Sequence, residues 1–350
     1  MGVYKTYSNS GVDGSGGYEF QKHCALYIFL EKYEDIKDSE YFICLEHHED
    51  FLFCYLDETK LLKNIDSYQA KKSSTNWTLS ELDDLIKKIL EVGVDLNSDT
   101  SDKIDEYSHN LFFLTNHSII LSKNKIKNII NERNKIIKFN DLHEEIQDEL
   151  QTLTDISTKD EINHLVFSYI DFSKTFKAQK QQLVGIFNDV FGESILDHKA
   201  SIEALLALFR DVENTLNQGN IISLMDYSKR VESEKIKQTL TILTTQQKAF
   251  KEWREQKNKY AELLKIPIME HKSFELEFKN AFDYFKDLQQ VEHQKIKNFV
   301  KDIGLSECFT PESGLKKVIE EFENQHNTQF NNISTKAILL ASYIQTRENN

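Results

Sequence analysis

Between Tyr41 and Lys71 three short runs rich in aromatic and apolar residues stand close together: Tyr41-Phe42-Ile43-Cys44-Leu45, Asp50-Phe51-Leu52-Phe53-Cys54-Tyr55 and Ser67-Tyr68-Gln69-Ala70-Lys71. Each is short for a helix, and aromatic side chains suit a pleated, half-buried surface, so the runs predict strands of an antiparallel meander. Before them, Tyr18 to Leu30 is apolar at helical spacing. After them, Thr78-Leu79-Ser80-Glu81 has the form of a capping box, and Leu82, Leu85, Ile86, Ile89 and Leu90 recur at helical spacing. Leu111-Phe112-Phe113-Leu114-Thr115 reads as one more buried strand. The order helix, three strands, helix, strand predicts a mixed α/β sheet covered by helices.

Gly11, Gly14, Gly16 and Gly17 lie ahead of the first helical run and predict a mobile lead-in, since no GxxxxGK[ST] phosphate loop contains them. From about Asn124 the chain changes to segments rich in Lys, Glu, Gln and Leu, with another strand expected within His164 to Phe172 and helices beyond it. Residues 235 to 260 read as an exposed helix or a short coiled coil. A chain of 350 residues exceeds the usual single-core range of about 100 to 200 residues, so two domains, or one domain with a long extension, are expected. We place them at 1–155, α/β, and 156–350, mainly helical, with the connection between residues 140 and 165. In the second, Leu205, Leu206, Leu208 and Phe209, then Phe282, Tyr284, Phe285 and Leu288, are expected to pack helices on each other or on a partner.

With 43 basic against 57 acidic residues the formal charge is -14, which repels nucleic acid on average and makes any DNA contact a local one. One local exception spans residues 121 to 138, where Lys123, Lys125, Lys127, Arg133, Lys135 and Lys138 face only Glu132. This segment is expected either to hold a DNA backbone, with Lys123, Lys125 and Lys127 as contacts, or to be a solvated helix face. Cys24, Cys44, Cys54 and Cys308 contain no CxxC pair, which disfavours a disulfide framework or Cys-rich zinc site and fits a reducing cytoplasm. The sequence shows neither an apolar run of about 18 residues nor a signal core, so no membrane association is expected.

The chemistry-bearing pattern is Glu46-His47-His48-Glu49-Asp50 followed by Gln69-Ala70-Lys71. On a strand, Gln69 and Lys71 point to one face and Tyr68 and Ala70 to the other. An Asp carboxylate and a Gln amide oxygen are hard donors for Mg²⁺ or Mn²⁺, and a Lys ammonium can orient water or stabilise charge. These are the needs of phosphodiester hydrolysis, in which water must be activated and charge grows on phosphate oxygens. The plainer alternative is that Asp50 starts a strand while Gln69 and Lys71 face solvent on a sheet edge. Adjacent His47 and His48 point apart on extended chain and are read as turn residues. His23, His109, His117 and His164 carry still less weight, and no spacing gives Ser10 or Cys24 a base.

These residues resemble the PD-(D/E)xK nuclease superfamily in its D…QxK variant. More narrowly, Gly17-Tyr18-Glu19-Phe20-Gln21, Glu46…Asp50, Gln69-Ala70-Lys71 and Phe113-Leu114-Thr115-Asn116 are similar to the double-stranded-DNA endonuclease domain of CD-NTase-associated effectors and of LmuA, the nuclease subunit of Lamassu anti-phage systems. The helix-rich continuation is nearer to the Lamassu subunit. The resemblance implies a restriction-endonuclease-like domain in which Asp50 is the principal ligand of Mg²⁺ or Mn²⁺, Gln69 the second ligand and Lys71 the catalytic lysine. Glu46 is a weaker ligand candidate, with Glu19 and Gln21 as outer members. It further implies an SMC-like ATPase partner, a third defence subunit, and self-association when active. A catalytically silent scaffold and a stand-alone Mrr-like restriction nuclease are the competing readings.

Overall fold

The computed structural model describes residues 10–47, 50–195, 197–213, 224, 229–286, 291–325 and 332–348. Helix α1 (Ser10–Ile36) leads into β1 (Tyr41–His47), β2 (Asp50–Leu56) and β3 (Leu62–Lys71). A two-residue strand β4 (Trp77–Thr78), helix α2 (Leu79–Ser98) and strand β5 (Lys103–Thr115) follow. Then come β6 (Ile119–Lys123), β7 (Ile126–Ile130), β8 (Ile136–Lys138), α3 (Glu144–Gln151) and β9 (Leu165–Tyr169). Helices α4 (Phe176–Phe191) and α5 (His198–Glu213) precede a short strand β10 (Arg230–Glu232). The rest is helical: α6 (Ser233–Leu263), α7 (His271–Lys286), α8 (Val291–Asp302), α9 (Pro311–Gln325) and α10 (Asn332–Glu348).

The expected meander is present: β1, β2 and β3 pair antiparallel in sequence order. Strand β3 then pairs parallel with β5, and β5 with β9, so the chain must cross over between them. Helix α2 makes the first crossover, and its start is fixed by the expected capping box, in which the Thr78 amide donates to Glu81 Oε2 at 2.8 Å. The full sheet runs β10-β1-β2-β3-β5-β9-β8, and β4, β6 and β7 form a separate three-stranded sheet.

Alternation along the strands divides the large sheet into two packed faces. One carries Cys54, Ile65, Leu111, Phe113 and Phe167, and Leu82, Ile86 and Leu90 of α2 join them in one core. The other carries an aromatic row in which Tyr68 stacks on Phe51 at 4.9 Å and on Phe112 at 4.5 Å between centroids. On that face α1 supplies Lys32, whose Nζ donates to Asp66 Oδ2 at 2.6 Å; Asn110 donates to the other carboxylate oxygen at 2.8 Å. Buried Asp66 is thereby paired and hydrogen-bonded, the condition under which a carboxylate can sit inside a sheet.

Several expectations are corrected. Helix α1 begins at Ser10 and includes the glycines expected to form a mobile lead-in; extending an existing helix costs less than nucleating one, so the apolar run beyond Tyr18 can carry weak helix formers. The basic stretch after residue 120 is not helical: β6 and β7 form a hairpin joined by Asn124 and Lys125, with Asn124 at φ 53°. Asparagine tolerates that left-handed conformation, and Ile119, Ile120, Ile126, Ile129 and Ile130 favour strands. Strand β3 begins five residues before the run expected for it, its polar Lys63, Asn64 and Asp66 having concealed the pattern.

The described chain forms two compact units, the first comprising residues up to Val190 and again His198–Ile236, the second Phe191–Asp197 and residues from Lys237 on. The expected division after residue 155 falls ahead of β9, which lies inside the large sheet. Leu205, Leu206 and Phe209 are buried in α5 of the first unit. In the second, Trp253 of α6 packs on Phe274 and Phe278 of α7, and Phe282 and Phe285 are buried. Tyr284 is exposed there, and Leu288 lies outside the described residues.

His23 gives the first unit a pH response. Its Nδ1 donates to Gln179 Oε1 at 2.8 Å while Nε2 is buried without a hydrogen-bond partner. Burial lowers its pKa below the ordinary 6.5, the Gln179 bond and Glu19 opposing this only in part. A neutral buried histidine takes up a proton on unfolding, so its contribution is present above pH 6.5 and lost as pH falls toward the folded value. We expect the denaturant midpoint to fall between about pH 7.5 and about pH 5.5, and His23→Gln to flatten that dependence. An unchanged slope in the variant would contradict the assignment.

Candidate active site

Gln69 and Lys71 are two residues apart on β3 and share the sheet face that also carries Ile65. The parallel register sets Gln69 beside Phe113 and Lys71 beside Thr115, and β9 adds Phe167 and Tyr169 in the same rows. On the other side, Phe51 pairs with Tyr68 at the end of the antiparallel ladder, so Asp50 and Gln69 are the next residues along their two strands. The side chain of Asp50 lies outside the described residues, as does that of Glu46. Glu46 is nevertheless located in the backbone: Leu45 pairs with Phe51 and His47 with Asp50, making Glu46 the extra residue of a β-bulge. Bulges change the direction of a strand and of the side chains that it presents.

The expected edge-strand alternative fails for β3, which is flanked by β2 and β5 in the middle of the sheet. Gln69 is 4% exposed, and Lys71 at the strand end is half-buried. Around them the scaffold is rigidly held. Thr115 is fully buried and accepts a hydrogen bond from Trp77 Nε1 at 2.9 Å, while the Trp77 ring meets Phe113 edge-on. Asn116 accepts from the Ser73 amide at 3.4 Å and donates to the Phe172 carbonyl at 3.2 Å, tying the chain after β3 to the chain after β9. Here, at the carboxyl ends of β5 and β9, opens a cleft of about 550 Å³ lined by Asn76, Asn116, His117, Tyr169, Asp171 and Lys174. Carboxyl ends of parallel strands are where open α/β sheets place their ligands.

Comparison with known families matches residues 9–218, more than half of the chain, to "Cap4, dsDNA endonuclease domain". The chain belongs to the Cap4 dsDNA endonuclease family. The matched Cap4 region includes β9, α4 and α5 as well as the meander, in line with the first compact unit. No curated protein and no solved structure matched the chain.

The other expected site residues lie on α1 and on the β6–β7 hairpin. Glu19 on α1 is paired with Lys22 at 2.8 Å and Arg210 at 3.5 Å, and buried Gln21 shares that helix. Of the basic residues, Lys123 is held by Glu149 at 2.6 Å, whereas Lys125 and Lys127 are exposed on the β6–β7 hairpin. His117 at the cleft rim, given little weight in the sequence, has a buried Nε2 without a hydrogen-bond partner; burial, then Lys174, holds its pKa below the ordinary histidine value.

Two more histidines of the Cap4 domain set aside in the sequence come together. His109 on β5 and Glu161 are buried and joined at 2.7 Å between Nε2 and Oε2. The His109 and His164 rings lie 4.4 Å apart between centroids. The sequence hides this group because 52 residues separate His109 from Glu161. Gly93 of α2 makes room for it: an added Cβ would lie 2.3 Å from Glu161 Oε2 and 2.9 Å from Leu111 Cδ1. Alanine is the better helix former by about 1 kcal/mol, yet Gly93→Ala is expected to destabilise the domain by about 1–3 kcal/mol through overpacking. Chemical denaturation checks the sign; a stabilised variant would contradict the packing.

Proposed function

We propose that this protein is a Mg²⁺- or Mn²⁺-dependent endonuclease that hydrolyses phosphodiester bonds of double-stranded DNA as an effector of anti-phage defence. Its first unit would be a PD-(D/E)xK nuclease of the D…QxK type. The observation that carries the reading is the β2–β3 ladder ending at Phe51 and Tyr68, so that Asp50 and Gln69 are the next residues on neighbouring strands, with Lys71 on the face of Gln69 at the end of the parallel strands. Family membership supplies the DNA substrate class.

The donor set fits a hard cation. Gln69 is a buried amide side chain at the packed end of the sheet, Asp50 follows the last paired residue of the neighbouring strand, and Glu46 occupies the adjoining bulge. Asp50 and Gln69 would hold the ion, with Glu46 as a further ligand. When bound, the ion would supply Lewis-acid stabilisation of phosphate charge and lower the pKa of water. Lys71 would orient the attacking water and offset charge on the nonbridging oxygens. The neighbouring Trp77–Thr115 and Asn116 bonds would hold the β3 end at fixed distance from the strand beside it, reducing reorganisation during reaction. Exposed Lys125 and Lys127 would contact the DNA backbone without reading sequence, Lys123 contributing less because Glu149 neutralises it.

The resemblance to the Lamassu nuclease adds an SMC-like ATPase and a third subunit as partners, cytoplasmic action, and homo-oligomerisation that would pair two active sites for cutting both strands. No helix among the described residues is long and apolar enough to cross a membrane. Purified protein, alone and mixed with candidate partners, should nick and linearise plasmid when Mg²⁺ or Mn²⁺ is present and not in chelator. Stable partner binding without cleavage in any assembly would favour a silent scaffold.

A further inference from the structure

The His109–Glu161–His164 group lies on the sheet face of Gln69 but toward the other end of α2. In the parallel register His109 stands beside Ile65, four residues before Gln69, which is about 13 Å along the strand. Each of the three offers a ligand atom, and these atoms all lie within 4.8 Å of one another. We propose that His109, Glu161 and His164 form a second metal site, for a divalent transition ion of which Zn²⁺ suits the donors best.

Local structure explains the convergence. Glu161 and His164 belong to a 3₁₀ turn (Glu161–His164), in which residues three apart eclipse one another, so both side chains leave the turn on one side. His109 reaches them from β5. Asn97 Nδ2 donates to Glu161 Oε1 at 2.6 Å, which fixes the carboxylate and leaves Oε2 directed at the histidine. Outer hydrogen bonds of this kind orient metal-ligating carboxylates, and the bare Gly93 surface is what admits the group.

Two imidazoles and one carboxylate are the donors of zinc and other late first-row ions, in contrast to the oxygen-only set at Asp50 and Gln69. Zinc bonds of about 2.0–2.1 Å at tetrahedral angles separate ligand atoms by about 3.3 Å, so binding requires the His109–Glu161 hydrogen bond to open by about 0.6 Å. The ligands come from β5 and from the turn that enters β9, while α2 supplies the supporting Asn97 and Gly93. A bound ion would therefore clamp the two adjacent parallel strands where they enter the sheet, acting on stability instead of cutting DNA.

The test uses the full chain stripped with chelator and reloaded with Zn²⁺ or Co²⁺. After desalting, elemental analysis should find about one ion per chain, and Co²⁺ should give the visible bands of a low-coordinate N/O site. Zn²⁺ should raise the unfolding midpoint by several degrees. His164→Ala, at a half-buried position, and Glu161→Gln should each weaken Co²⁺ binding by about 100-fold or more, with circular dichroism confirming the fold. Should Glu161→Gln not fold, His164→Ala alone decides. Wild-type protein that retains neither ion would overturn the proposal, as would stoichiometric binding unchanged in folded His164→Ala. Plasmid cleavage is not the readout, so inactivity of the proposed nuclease site would leave this test intact.

Discussion

Lys71→Ala is expected to slow plasmid cleavage by about 10³-fold or more while leaving the protein folded. Removing one preorganised charge-stabilising donor typically costs about 10²–10³ in rate, and loss of water orientation adds to it. The fold should tolerate the change because Lys71 is half-buried at the end of β3, and its backbone pairing with Thr115 remains. Unfolding free energies of variant and wild type should agree within about 1 kcal/mol. Lys71→Arg should rescue poorly, since a planar guanidinium is not a compact ammonium in a geometry-limited site. Relaxation of supercoiled plasmid, followed against time with Mg²⁺, measures the effect. Undiminished cutting by the alanine variant would remove Lys71 from the mechanism.

Phe113→Ala is expected to do the reverse, costing about 3–5 kcal/mol of stability. Its ring is fully buried on β5, between Gln69 of β3 and Phe167 of β9 in register, with Trp77 edge-on at 5.3 Å. Truncation leaves a void on the face that supports the proposed ligands, and neither neighbouring strand can collapse into it without disturbing the ladder. Activity should fall along with the folded fraction and recover in part at low temperature, unlike that of Lys71→Ala. Equilibrium denaturation gives the value directly; a loss below about 1 kcal/mol would contradict the packing described.

Short-range chemistry made much of the first unit legible. The β1 and β2 runs, the Thr78–Glu81 box and the Leu82–Leu90 periodicity lead to the strands and helix observed, because local propensity and burial agree there. Alternation likewise predicts that Gln69 and Lys71 share a face. Long-range pairing was less visible. The polar half of β3 looks like a loop until Lys32 and Asn110 are seen to satisfy Asp66. The β6–β7 hairpin has lysines where charge suggested a helix, and its turn depends on a single asparagine at positive φ. Arg230–Glu232, three residues long, gains strand character only from its place beside β1. The histidine–glutamate group depends on a parallel pairing and a 3₁₀ turn, which no residue spacing in the sequence encodes.

The proposed sharing of one divalent cation by Asp50 and Gln69, with Lys71 beside it, can be tested directly. Anomalous diffraction from Mn²⁺-soaked crystals of the full chain tests this without depending on turnover. A peak is expected about 2.0–2.4 Å from an Asp50 carboxylate oxygen and the Gln69 amide oxygen, on the sheet face of Phe113. No peak there at saturating Mn²⁺, or an Asp50 carboxylate turned to the face of Tyr68, would contradict it.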